Sequence, residues 1–225
     1  MRYGIIAEGQ ADVCVIRCIL KYLLHVDSSS IYAIRPREMV DETDNSDLRF
    51  SNWELVLRTC ADDHILASFL DTIDEDGVII VQIDTAERGE ANYNIPLPIR
   101  TAGTEWSDYS TTLRQTVRDK IQALVPAQYQ QRMIYAIAIE ETDAWLIPIF
   151  DERSSDTASY VRPKERLQSA IGTLGRKKNK YIDANRGHLD YYQIALQYKH
   201  KLPTCRLHNR SLDLFCKELE SIAIV

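Results

Sequence analysis

Three apolar runs in this chain each end in acid. Residues 3–7, Tyr-Gly-Ile-Ile-Ala, lead into Glu8. Residues 78–83, Val-Ile-Ile-Val-Gln-Ile, lead into Asp84, and residues 133–139, Met-Ile-Tyr-Ala-Ile-Ala-Ile, lead into Glu140 and Glu141. Carboxylates gathered in one crevice repel one another and are costly to desolvate, so a fold that collects them needs a cation to offset the cost. Mg²⁺ suits the donors, because it takes hard oxygen ligands and is commonly held by one or two carboxylates plus substrate phosphate. With phosphate bound, such a site activates a water and stabilises a leaving oxygen. The competing reading is structural: each acid caps a helix or sits in its first turn, where the helix dipole favours it. That explanation serves well for one acid and less well for three run ends together.

For the acids to meet, the runs must be strands of one sheet. Each run is short, apolar and bounded by polar or turn residues, as a strand buried on both faces requires. Helical spacing of apolar residues lies between them. It covers 11–25, one or two helices in 53–74, and 109–125. Residues 41–52 read as a polar loop or edge. Thr142 to Phe150 reads as a helix start interrupted by Pro148, with further helices at 164–174, 188–199 and 211–222. Strands alternating with helices predict an α/β fold with a mostly parallel sheet and helices on both faces. In such sheets, polar groups at the C-terminal strand ends face the ligand crevice.

The residues also resemble a family. Glu8-Gly9 after an apolar strand, with Asp12 following, is similar to the first motif of Toprim domains. Residues 78–84 resemble the strand that carries that family's Asp-x-Asp pair. Glu140-Glu141-Thr142-Asp143-Ala144-Trp145-Leu146-Ile147-Pro148 resembles the acidic, Trp-containing segment of a Toprim-like family of bacterial proteins often encoded beside ATPases. Asn209-Arg210-Ser211-Leu212-Asp213-Leu214-Phe215 resembles that family's C-terminal helix start. The likeness covers most of the chain. It implies a Toprim, Rossmann-like core of the kind found in topoisomerases, primases and OLD-type nucleases. It further implies Mg²⁺ or Mn²⁺, hydrolysis of DNA or RNA, and a toxin-like effector role in anti-phage defence with an AAA- or ABC-type ATPase. Under it, Glu8 is a metal ligand or general base, Asp84 the main ligand, and Asp12 the support of a second ion. Glu141 or Asp143 completes or orients the site, and Lys177 or Lys180 is the basic residue near the scissile phosphate. One departure stands out. The second acid of the Asp-x-Asp pair falls at Ala86, which cannot bind metal. The expectation is a folded protein with a weakened site, improved by Ala86→Asp. The alternative is a non-catalytic Toprim-like subunit that binds a partner protein or nucleic acid.

Charge is divided along the chain. Residues 1–150 hold 13 basic and 24 acidic residues, a balance of −11, and residues 151–225 hold 14 and 9, a balance of +5. Two regions are therefore expected: a catalytic core over 1–150 and a basic, mainly helical appendage over 151–225, packed on the core. The overall charge of −6 argues against a protein that coats nucleic acid indiscriminately. Arg176, Lys177, Lys178 and Lys180 form a basic turn suited to a nucleic-acid backbone, or equally to solvent. The five cysteines show no paired spacing for zinc or a disulfide framework, and Cys14 and Cys18, one helical turn apart, read as a buried helix face. The five histidines lack metal-site spacing, and no phosphate-cradling glycine motif occurs. Trp145 reads as core packing and Ser211 as a helix cap. No run is long enough to span a bilayer, and Glu8 interrupts the apolar start, so a cytoplasmic protein is expected. Homo-oligomerisation is left open.

Overall fold

The computed structural model describes residues 1–36, 52–72, 76–91, 93–95, 105–152, 156–183 and 187–222. The polar stretch expected at 41–52 falls outside them except for its last residue, as does Ile73 of the predicted helical pair. The fold is α/β, as the alternation of runs predicts. Four strands, β1 (Arg2–Ile6), β2 (Ile31–Arg35), β3 (Gly77–Asp84) and β4 (Met133–Ala138), form one sheet in the order β2-β1-β3-β4. Every pairing is parallel.

Helices cover both faces. Side chains of alternate parity on each strand feed two cores, because successive residues of a strand point to opposite faces. On one face Tyr3, Ile5, Val78, Ile80, Ile134 and Ala136 pack with α1 (Gln10–Leu23) and the C-terminal helices. On the other, Ile79, Val81, Ile83, Tyr135 and Ile137 pack with α2 (Asn52–Ala61), α3 (Asp63–Leu70) and α4 (Trp106–Leu124).

Beyond β4 lie α5 (Asp143–Leu146), α6 (Pro163–Gly172), α7 (Tyr191–Ala195), α8 (Tyr198–His208) and α9 (Arg210–Ile222). Leu167, Ile194, Tyr198, Leu202, Phe215 and Leu219 share one core with β1, β3 and β4. The region expected as an appendage thus supplies most of a helical layer. The helix expected at 188–199 is in fact α7 and the start of α8, which runs on through Pro203 to His208. β2 was missed altogether, although Ile31-Tyr32-Ala33-Ile34 is a short apolar run; it is an edge strand of which only Ile31 is buried.

The segment around Trp145 is fastened to the start of α9 by buried polar contacts. Trp145 is completely buried, lies parallel to Phe215 with ring centroids 5.7 Å apart, and donates through Nε1 to Ser211 Oγ at 2.8 Å. Ser211 Oγ donates in turn to Asn209 Oδ1, which also accepts the Leu212 N–H at 3.0 Å. Asn209, rather than Ser211, is therefore the α9 cap. Its Nδ2 donates to Thr157 Oγ1 at 2.8 Å, and Thr157 donates to the Ala144 carbonyl at 2.7 Å. Asn209→Ala is expected to cost about 2–3 kcal/mol, since it removes a cap and strands two buried partners. Thermal denaturation measures this; a loss below about 0.5 kcal/mol would show the network to be dispensable.

Candidate functional site

Strand order places the crevice. From β1 the chain moves to one side to make β2, then crosses back to lay β3 on the other side of β1. The connections leave β1 and β3 on opposite faces, which opens a gap at their C-terminal ends, the usual ligand position in open parallel sheets. The register aligns Ile6 with Val81, so Glu8, two residues on, arrives beside the end of β3. Glu8 Oε1 accepts the Asp84 backbone N–H at 2.6 Å. The acids that end the first two runs are neighbours.

Two further acids approach from helix starts. Asp12, in the first turn of α1, accepts the Gly9 N–H through Oδ2 at 3.0 Å, half of a capping box. Asp143 opens α5, is 9% exposed, and accepts the Tyr191 hydroxyl at 2.8 Å. Capping and first-turn roles, the structural alternative for each acid, are therefore real for these two. They do not remove the electrostatic cost of the cluster. Burial pushes Glu8 up to about 8, with Asp12 and Glu87 adding to the rise and Arg35 opposing it. Burial likewise pushes Asp12 and Asp143 up to about 6. It holds Asp84 well above the usual carboxylate range, with Asp12 and Glu8 reinforcing it. Like charges in a desolvated crevice favour protons or a cation.

Gln82 and Thr142 organise the carboxylates. Gln82 is completely buried on β3, its Oε1 accepts the Glu8 N–H at 3.0 Å, and its Nε2 donates to Asp84 Oδ1 at 2.8 Å and Thr142 Oγ1 at 3.0 Å. Thr142 gives Asp84 Oδ1 its backbone N–H at 3.1 Å and its hydroxyl at 3.0 Å. Sequence reading missed both. The one signal for Gln82 was an amide inside an otherwise β-branched run; Thr142 was hidden among louder acids.

The turn after β3 changes the account of position 86. β3 ends at Asp84, and the Thr85 and Ala86 N–H groups both donate to the Glu140 carbonyl at 3.0 Å. Ala86 is exposed on this turn. The same-face relation of residues 84 and 86 holds only in extended backbone, so it does not aim this side chain into the crevice. Glu87 acts on Glu8 instead, and its Oε2 is a buried oxygen with no hydrogen-bond partner. Glu90 accepts the Trp53 indole N–H at 3.2 Å and so serves packing.

Glu140 pairs with Arg88 at 2.9 Å, in a left-handed backbone conformation (φ 62°) braced by Thr85. Such strain persists where its surroundings over-determine it. Glu141 Oε2 accepts the Lys164 N–H at 3.3 Å at the start of α6 and adds repulsion to Asp12 and Asp143. Arg176, Lys177, Lys178 and Lys180 lie exposed on a 3-10 segment, Gly175–Tyr181, and the structure does not bring them against these carboxylates. The cations acting there are Arg35, on Glu8, and Lys164, on Asp143.

Among the described residues, no three His, Cys, Asp or Glu side chains form a ready-made metal cage. Mg²⁺ asks for less, since one or two carboxylates with waters and phosphate suffice. Carboxylate oxygens on Glu8 and Asp84 fit that requirement, and the Glu87 charge acts on Glu8. The described residues contain no helix long and apolar enough to cross a membrane. Comparison with family models, curated proteins and solved structures returns no match to this chain.

Proposed function

We propose that this chain is a metal-dependent nuclease that hydrolyses phosphodiester bonds of DNA or RNA. In this reading it is the cytoplasmic effector of an anti-phage system with a partner ATPase. The observation that carries it is the contact of Glu8 with the end of β3, which sets two carboxylates side by side at the point where strand order reverses. The resemblance of the acidic motifs to Toprim nucleases supports the same chemistry. Glu8 and Asp84 would hold Mg²⁺ or Mn²⁺, with Asp12, Asp143 and Glu87 adding negative charge around them. Bound there, the ion supplies an activated water and stabilises developing charge. Without a cation, burial pushes Glu8 up to about 8 and keeps it largely protonated at neutral pH; a bound cation would hold it as the carboxylate that a ligand or general base must be. Lys164 lies on the Asp143 side, suited to a substrate phosphate.

The rival reading, a non-catalytic subunit, rests on Ala86. The deciding assay incubates the protein with plasmid DNA and with tRNA, in Mg²⁺, Mn²⁺ or EDTA, alone and with any ATPase encoded beside it. Cleavage that EDTA abolishes is expected. No cleavage of either substrate under any of these conditions would overturn the catalytic reading in favour of the subunit.

A further inference from the structure

We infer that Gln82 is a positioning residue that restricts Asp84 to one available oxygen, making the site selective for Mg²⁺ or Mn²⁺ over Ca²⁺; this rests on the metal-site reading above. Three donors converge on Asp84 Oδ1: Gln82 Nε2 at 2.8 Å, the Thr142 hydroxyl at 3.0 Å and the Thr142 N–H at 3.1 Å. A carboxylate oxygen so occupied has little lone-pair density left for a cation, and rotation of the carboxylate would break all three bonds. Asp84 Oδ2 is the oxygen left to offer. Glu8 is handled in the same way, because its Oε1 is taken by the Asp84 N–H.

Gln82 ties these arrangements together. Its amide orientation follows from its partners, since the Glu8 N–H must meet an oxygen and Asp84 Oδ1 must meet a donor. It therefore joins the segment after β1, the end of β3 and the segment after β4 through one side chain. An amide buried inside a strand is costly unless hydrogen-bonded, and here three bonds offset the cost. Ca²⁺ takes about six to eight oxygens and readily uses both oxygens of a carboxylate. Mg²⁺ takes about six in a tight octahedron, mostly waters with one or two single carboxylate oxygens. Carboxylates locked to one oxygen each suit the smaller ion.

The test measures Mn²⁺ binding by electron paramagnetic resonance, with Mg²⁺ and Ca²⁺ as competitors, on the wild-type chain and on Gln82→Met. Methionine keeps the length and loses all three hydrogen bonds. In the wild type, Ca²⁺ is expected to compete at least about tenfold less well than Mg²⁺. In Gln82→Met, Mn²⁺ affinity is expected to fall roughly 10–100-fold, as loss of an orienting contact behind a ligand does, and the preference over Ca²⁺ to shrink several-fold. A generally loosened fold would weaken both ions alike and leave their ratio unchanged. A folded Gln82→Met with wild-type affinity and preference overturns the positioning role while the metal reading stands. A wild type that binds no Mn²⁺ overturns both. Should Gln82→Met fail to fold, Thr142→Val removes two of these bonds, those of its hydroxyl with Gln82 and with Asp84, and an unchanged preference there overturns the inference.

Discussion

Asp84→Asn is expected to stabilise the metal-free protein and to abolish its response to Mg²⁺ or Mn²⁺. Asparagine keeps Oδ1 as acceptor for the Gln82 and Thr142 donors. It removes the charge that burial, Asp12 and Glu8 all disfavour. The pH dependence has a definite sign. Glu8 sits near 8 in the folded chain against an ordinary 4.5, so between those values the folded state binds more protons than the unfolded one. Stability without metal is therefore greatest at the acid end of this window for this group. It falls as pH rises through about 8, by an amount on the order of a few kcal/mol. Asp12 and Asp143, near 6, contribute with the same sign over a lower window. Wild-type protein in EDTA should thus melt lower at pH 8 than at pH 6, and Mg²⁺ should restore much of the loss at pH 8. The asparagine variant should melt several degrees higher than wild type at pH 8 in EDTA and gain nothing from metal. A variant that melts lower there than wild type would show that the Asp84 charge is already compensated within the protein.

The second large effect separates positions 86 and 87. Glu87→Gln is expected to weaken Mn²⁺ binding at least about tenfold and to slow any metal-dependent cleavage comparably, because it removes a charge that acts on Glu8 and alters a buried carboxylate oxygen that has no hydrogen-bond partner. Ala86→Asp is expected to change Mn²⁺ binding by less than about threefold, since its side chain leaves an exposed turn beyond the end of β3. Isothermal titration of both variants decides it. A marked gain at Ala86→Asp with no loss at Glu87→Gln would return the missing ligand to position 86. The purely sequence-based expectation, that restoring the acid repairs the site, would then hold.

The principal elements of the sheet were legible in the residues alone. β1, β3 and β4 are buried on both faces, and such strands must be continuous apolar runs whatever surrounds them. Their terminal acids could be read for the same reason, since charge at the end of a buried run is conspicuous. Helical periodicity likewise announced α1, α4 and α9, because burial of one face is a local pattern. The edge strand β2 is a run of only four apolar residues, mostly part-exposed, and only its pairing with β1 shows it to be a strand. Strand order lies in no single segment. It depends on which non-local pairings and crossovers pack best, and it alone set Glu8 against Asp84. Gln82 looked like a flaw in a strand until three chain segments met around it. Glu87 and Ala86 exchanged importance because a turn ended the alternation on which the sequence argument relied. Side-chain type could say that acids were available; only the packed structure could say which oxygens already had partners.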